Sequence, residues 1–399
     1  MKKIAFAVAA ALASIGFSAS ALAQEKTVSI AAFGVKSGVL RLFGLNSEAA
    51  VNAAVEEVNK AGGVKLADGT KAKMVVHPYL DDRCNAEEGI AVVRRIVGTD
   101  ALVAIGPTCS NVAEPLYGIL QKRVDDPKDT GLQFPILTDV AIKVGLAQIS
   151  EWSFRNVPNE NTMYSSLYYW LKATRPELKT VYGGVEEDFA HSRASWHVVM
   201  KERASANGYT VLGESKWLLN DTNFSTQVRE IKKANPDILS IAAHPFTTCG
   251  LLKEMQRQGV KPKLIVGLTS TSSQETMAGC PKQAEGMIIP SSFAPVSKEA
   301  KFASEQTAKK KGAADLHSMA AWENVFILKE VMEQAKLSGN KDAASIQADR
   351  RKIRDGLAAL KTTKGLLGTN KRTADREADK PYVFVHAKGG SWQVLHNPL

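Results

Sequence analysis

The stretch AIGPTCSNVAEP, residues 104–115, decides the fold. An apolar run ends in a Gly-Pro turn, and Cys109, Ser110 and Asn111 follow where a helix is expected to begin. Strand, tight turn and helix start within a dozen residues make one β-α unit. For its cysteine and small polar residues four readings are open: a catalytic thiol, a metal ligand, a disulfide partner, and an anion-binding helix mouth.

The same alternation runs outward in both directions. TVSIAAFGV (27–35) reads as a strand, and SEAAVNAAVEEVNKAGG (47–63) as a helix. That helix has Ala50, Val51, Ala54, Val55 and Val58 on one face, a Ser47 cap and a Gly62-Gly63 stop. AKMVVHPYL (72–80) is a strand, NAEEGIAVVRRIVG (85–98) a helix, NVAEPLYGILQKR (111–123) a helix and FPILTDV (134–140) a strand. After a break at 144–161, four further helices (161–174, 192–208, 224–235, 249–259) alternate with strands at 180–185, 210–215, 237–244 and 263–268. The strands are continuous Val/Ile-rich runs, as strands buried on both faces require. This pattern predicts an α/β protein with two doubly wound parallel sheets in tandem. Ligands of such sheets bind beyond the carboxyl ends of the strands, which puts function near 34–41, 107–111, 137–141, 185–191, 244–248 and 268–272.

The chain opens MKKIAFAVAAALASIGFSASALAQEK, with two lysines, an apolar run and an Ala21-Leu22-Ala23 cleavage motif. Ser14, Gly16, Ser18 and Ser20 make that run a poor membrane anchor, so residues 1–23 are expected to be a cleaved signal peptide leading to a bacterial periplasm. An oxidising compartment favours disulfides among Cys84, Cys109, Cys249 and Cys280. Sequence-local pairs Cys84–Cys109 and Cys249–Cys280 are the default, each closing a loop worth about 3 kcal/mol, although spacing alone leaves three connectivities. Cys109 therefore reads as a staple before a nucleophile.

With 399 residues, 44% of them hydrophobic and 23% charged, the chain has room for two ordinary globular domains. Its net charge of +10 is spread thinly; the densest runs, Lys309–Lys311 and Arg350-Arg351, fall in helix-like segments. A solvated helix face accounts for them, and no nucleic-acid partner is read from the charge. No nucleophile-elbow, zincin, P-loop or dinucleotide-binding motif is present. No Cys/His spacing suits zinc, so neither metal nor cofactor is expected. One S-x-x-K, Ser338 to Lys341, lies in a polar turn and reads as chance. His191 and His197 fall on different faces of one predicted helix, whereas His244 ends a buried-looking strand and is a candidate ligand contact.

The ordered set formed by SIAAFGVKSG, AAVNAAVEEVNKAGGV, YLDDRCNAEEGIAVVRRIV and IGPTCSNVAEP, with RNVPNE, DFA (188–190) and EGMIIPSSFAP (285–295) matching more loosely, resembles the leucine/isoleucine/valine-binding family. These are periplasmic solute receptors, the ligand-capturing subunits of ABC importers. The resemblance spans essentially the whole chain after the leader. It implies a type I binding-protein fold: a first lobe of 24–145 plus 280–360, a second of 146–279 plus 361–399, and a multi-strand hinge between them. It also implies a Cys84–Cys109 disulfide, a monomer without enzymatic activity, and an inner-membrane ABC permease as partner.

For the site, the resemblance implies that Thr108, Cys109 and Ser110 grip a ligand carboxylate through main-chain N–H groups, with Ser110 or Asn111 adding a side-chain donor. Ser110 capping the helix is the competing role. Thr138, Asp139 and Val140 match a second set of first-lobe contacts. Phe189 falls where the family usually has a tyrosine over the ligand, and Phe246 near a second such aromatic. Ser37 and Arg41 lie at the cleft mouth if the first strand ends as predicted. Amino-acid receptors of the family place a carboxylate against the ligand's α-ammonium, and the matching position here is Thr269. A buried ammonium without a countercharge costs several kcal/mol, so the expected ligand is an aromatic or aliphatic acid or an amide lacking that ammonium. Asp139 is the counter-evidence, since it could supply the missing charge from the opposite lobe. The alternatives are a branched-chain amino-acid or amide receptor, a ligand-sensing module, and a periplasmic enzyme on the same scaffold. The polar link KRVDDPKDTGLQFP (122–135) reads as a surface loop without a role.

Overall fold

A computed structural model describes residues 26–398, so the expected signal peptide lies outside the described residues. The first sheet collects β1 (Thr27–Gly34), β2 (Val64–Lys65), β3 (Lys71–Val76), β4 (Leu80–Asp81), β5 (Ala104–Ile105), β6 (Ile136–Thr138) and β7 (Ser153–Arg155) in the order β2-β3-β1-β5-β6-β7, with β4 also paired to β1. All its pairs are parallel except β2–β3. The second sheet contains β8 (Thr180–Glu186), β9 (Thr210–Trp217), β10 (Ile238–Ala242), β11 (Leu264–Gly267) and β12 (Ile288–Ser291), all parallel. A small antiparallel sheet follows, β13 (Thr362–Gly365), β14 (Gly368–Arg372) and β15 (Ala378–Asp379). Two antiparallel strands, β16 (Val383–Lys388) and β17 (Ser391–His396), then close the edge of the second sheet beside β12.

Helices cover both faces of both sheets. They are α1 (Arg41–Lys60), α2 (Ala86–Val97), α3 (Ser110–Gly118), α4 (Glu160–Thr174), α5 (Ala190–Ala194), α6 (Lys201–Ala206), α7 (Ser225–Ala234), α8 (Pro245–Arg257) and α9 (Gln274–Gly279), then α10 (Lys298–Lys309), α11 (Leu316–Gln334) and α12 (Ala343–Ala359). The covering explains the continuous apolar strands. In β1, Val28, Ile30 and Ala32 enter one core cluster while Ala31 and Phe33 enter the opposite one. In β10, Leu239 and Ile241 face one way while Ile238 and Ala242 face the other. A strand with an apolar partner on each side shows no polar alternation.

Three sequence expectations are corrected. Ser47 is not a cap: α1 begins at Arg41, six residues earlier, because Leu40 and Phe43 are drawn into the core. The helix expected over 111–123 stops at Gly118, and Gln121 turns to donate its N–H to Leu132 O. The two strands nearest the expected lobe boundaries pair across them. Ser153–Arg155 joins the first sheet beside β6, and Ile288–Ser291 joins the second beside β11. Strands of three and four residues carry too little periodicity to reveal which sheet recruits them.

The chain passes between the sheets after β7, after β12 and before β16, and a buried polar cluster ties these passages together. Lys380 Nζ donates to Glu323 Oε2 at 2.6 Å and to Asn156 O at 3.3 Å, while Asn156 Nδ2 donates to the same Glu323 oxygen at 2.9 Å. Nearby, Arg155 donates to both Glu377 oxygens at 2.6 and 2.7 Å. Removing one partner of a buried pair leaves an uncompensated charge. Lys380→Met is therefore expected to cost about 3–5 kcal/mol in urea unfolding; a loss below about 1 kcal/mol, the range of an exposed pair, would refute the pair's structural role.

Candidate functional site

The carboxyl ends of the parallel strands meet in the cleft between the lobes. From the first lobe come Phe43 on α1, the 106–111 loop after β5 and Asp139 after β6; from the second come Phe189 and His191 after β8, His244 after β10, and Thr269 and Ser270 after β11. His317, at the start of α11, joins them. The rings converge: Phe43 lies 4.3 Å from His317 and 6.2 Å from His244, and Phe189 lies 4.4 Å from His244, centroid to centroid. Asn111 Oδ1 accepts the Ala190 N–H at 2.7 Å, so the first turn of α3 is in direct contact with the start of α5 on the opposite lobe. All these rings are buried, so the lobes are closed upon one another.

The 106–111 loop is shaped by what surrounds it. At Gly106 φ is +128°, and a Cβ there would lie 2.2 Å from Phe33 O, so glycine alone fits. Cys109 is the residue preceding α3, extended at φ −97° and ψ 132°, with no side-chain cap. Its disulfide to Cys84 fastens the loop to the segment after β4. With Cys109 in this position, the N–H groups of Ser110 and Asn111 open the helix and have no acceptor within it. They carry the partial positive charge of a helix start. Ser110 is not the cap; its Oγ accepts the Lys143 N–H at 3.2 Å and pins the neighbouring loop.

The 138–140 segment faces inward more than expected. The Thr138 hydroxyl bonds Tyr117, its carbonyl accepts from Asn324 Nδ2 at 3.0 Å, and Val140 packs in the core. Asp139 is buried against Thr108, whose Oγ1 donates to it at 3.4 Å. Burial pushes Asp139 up to about 7, against the opposing effect of the Ser47 hydroxyl, its neighbour's N–H and Thr108.

The second-lobe wall overturns the expectation of a missing carboxylate. Thr269 Oγ1 donates at 2.5 Å to Glu160 Oε1, which also meets His191 Nε2 at 3.0 Å, while Ser195 donates to Oε2 at 2.5 Å. Burial raises the Glu160 carboxyl, but His191 and the two hydroxyls outweigh it and leave the pKa below its ordinary value. A second buried carboxylate, Glu186, accepts the His244 N–H at 2.7 Å and contacts His244 Nδ1 at 3.1 Å. Ser270 links the remaining imidazoles, 3.2 Å from His317 Nε2 and 3.5 Å from His191 Nδ1.

The other expected contacts sit at the rim. Ser37 lies beside Asp81, and Arg41 donates to Gly38 O at 3.3 Å. Arg41 and Phe246 line a cavity of about 480 Å³ at the cleft mouth with Lys253 and Glu275; Phe246, 43% exposed, stays outside the ring cluster. Beside this cavity the second disulfide, Cys249–Cys280, joins α8 to the end of α9.

Phe43, Glu160, Glu186 and His317 were missed from the sequence, and Ser270 lay inside a flagged strand end without a role of its own. Glu160 follows a three-residue strand, the strand-end signal at its weakest. Glu186 fell inside a flagged strand end without being singled out, and Phe43 and His317 come from helices whose position only packing sets.

Known proteins resemble the chain over nearly its whole length. The family model described as periplasmic binding protein matches residues 27–391. The leucine-, isoleucine-, valine-, threonine- and alanine-binding protein of Pseudomonas aeruginosa is 24% identical over 371 residues, 91% of each chain. Among solved structures, the branched-chain amino acid transporter substrate-binding protein LivJ of Streptococcus pneumoniae, in complex with isoleucine, superposes with a TM-score of 0.76 at 18% identity, covering 92% of this chain and 98% of its own. A solute-binding protein of an ABC transporter from R. palustris, in complex with benzoate, reaches 0.75 at 16% identity, covering 93% and 96%. These folds are those of binding proteins rather than enzymes.

Replacing Cys84 and Cys109 together by serine is expected to lower stability by about 3 kcal/mol in non-reducing denaturant titrations. An unchanged midpoint would remove the staple from the account of the loop.

Proposed function

The chain belongs to the periplasmic binding protein family, and on that premise we propose that its 106–111 loop captures a small carboxylate between the lobes for delivery to an ABC permease. Members of this family act outside the cytoplasmic membrane, where they bind small solutes and work with such permeases. The observation that carries the proposal is the start of α3: N–H groups without helical acceptors, held by a disulfide at a cleft closed by a ring cluster. An anion placed there completes the helix end without needing a lysine. The prefastened loop lowers the ordering cost of binding.

Beyond the loop, the ligand's remaining surface meets Phe43 and His317 on the first lobe and Phe189 and His244 on the second. Flat apolar faces beside ring N–H groups suit an aromatic or branched aliphatic body. An acid without an α-ammonium is favoured because Glu160 already spends both oxygens on His191, Ser195 and Thr269. The second reading, an amino-acid receptor, is favoured by the same Glu160, a buried carboxylate touching Thr269. The benzoate and isoleucine complexes of the two structural neighbours illustrate the two classes.

Lobe closure is an equilibrium that the ligand biases by binding the closed form more tightly. A micromolar Kd corresponds to about −8 kcal/mol, enough to shift a hinge. Calorimetric titration with benzoate, a branched 2-keto acid and leucine separates the readings. The proposal expects micromolar binding of an acid lacking the amine, and Glu160→Gln to change that Kd by less than about tenfold (1.4 kcal/mol). Binding of leucine alone, abolished by Glu160→Gln, would establish the amino-acid reading instead.

A further inference from the structure

Beneath the ligand loop, the strand ends of the first lobe close around a set of polar atoms that lack partners. Asp82 follows β4, Tyr79 precedes it, Asp139 follows β6 and Ser47 lies on α1. Asp82 Oδ1 accepts the Cys84 N–H at 2.8 Å, and Asp139 Oδ2 accepts from Thr108 at 3.4 Å. Asp82 Oδ2, Asp139 Oδ1 and the hydroxyls of Tyr79 and Ser47 are buried without a partner in hydrogen-bond geometry. The Ser47 hydroxyl faces Asp139, and Asp82, Asp139 and Ser47 are each no more than 1% exposed. Gly34 makes the space: a Cβ there would fall 2.1 Å from Thr108 Oγ1 and 2.6 Å from the Tyr79 hydroxyl.

The charges around the cluster are mostly negative. Asp81 on β4 is held by the Lys36 and Arg83 N–H groups, and Glu48 on α1 engages Lys36 at 2.7 Å. Lys36, the cation over the Tyr79 ring at 5.4 Å, is thus already paired. Tyr117, from α3, also faces Asp139. Two buried carboxyls of which one feels the other's charge resist double ionisation, through desolvation and repulsion. Burial accordingly raises both, Asp82 to about 7 with the Asp139 charge adding to it, and Asp139 to about 7.

We propose that Asp82 and Asp139 form a proton-binding site coupled to the ligand loop, so that the solute anion is taken up together with a proton. The inference rests on the reading that the 106–111 loop takes an anion. Thr108 joins the two: it belongs to the loop and donates to Asp139. An anion at the loop adds negative potential beside the pair and so favours its protonated form. By reciprocity, protonation tightens anion binding. As pH rises through the pair's range the proton is lost, and Kd rises by up to about tenfold per pH unit.

Benzoate, a branched 2-keto acid and leucine are titrated calorimetrically between pH 6 and 8.5, in phosphate and in Tris, with wild type, Asp82→Asn and Asp139→Asn. The wild type is expected to show buffer-dependent heats equivalent to uptake of up to one proton and a Kd that weakens with pH. One or both asparagine variants should bind with neither. Uptake that persists in both variants assigns the proton to another group of the cleft, such as Glu275, which burial also raises to about 7, and overturns the proposal. A bound probe with no proton uptake rejects the proposal while leaving the anion reading intact; no binding of any probe at any pH rejects both. Should the variants fail to fold, the infrared spectrum decides. Recorded in Glu275→Gln, which removes the other carboxyl raised to about 7, a protonated-carboxyl band at pH 6 that fades by pH 8.5 supports the site, and its absence at pH 6 overturns it.

Discussion

Main-chain N–H groups at the start of a helix need acceptors, and the architecture around residues 106–111 fixes the start of α3 against the opposite lobe. Gly106 lets the chain turn against Phe33, and Gly34 leaves room for Thr108. The Cys84–Cys109 bond ties the loop to the neighbouring strand end. Ser110 braces the 143 segment, and Asn111 reaches across to Ala190 on the opposite lobe. The loop is therefore part of the seam between lobes, and the proposed anion site is built into that seam. A change in its geometry is felt at the cleft and at closure together.

The opposite wall solves a different problem, how to bury carboxylates in a closed cleft. Glu160 is satisfied by His191, Ser195 and Thr269, and Glu186 by the His244 N–H and ring. For Glu160 those partners outweigh burial and hold the carboxyl below its ordinary value, because an ionised group at such depth persists only when hydrogen bonds replace water. The Asp82 and Asp139 pair is the contrasting case: each has an oxygen with no donor, and a proton is what relieves it. One lobe thus balances its buried charge with imidazoles and hydroxyls, the other by giving it up.

Much of the fold was legible in the chain. Val/Ile-rich runs alternating with amphipathic helices predicted two parallel sheets, because strands covered on both faces must be apolar throughout. The Gly-Pro turn before Cys109 and the sequence-local cysteine spacing pointed to the stapled loop. The strand ends flagged for function include Thr108, His191, His244, Thr269 and Ser270, which lie between the lobes, and Asp139, buried behind Thr108. Phe246 at the rim, and Thr138 and Val140 turned into the core, show the limit of that rule: it places a backbone and leaves open where each side chain points.

Composition, periodicity and turn chemistry by themselves determined the α/β class, the β-α order and the identity of the loop that offers free N–H groups, since these follow from short-range geometry. Only the tertiary structure decided that β7 and β12 join opposite sheets, that Glu160 stands beside Thr269, and that Phe43 and His317 come together on the first lobe. Those outcomes depend on which distant surfaces exclude water together. Burial of one segment against another outside its own helix or strand leaves no local imprint on either.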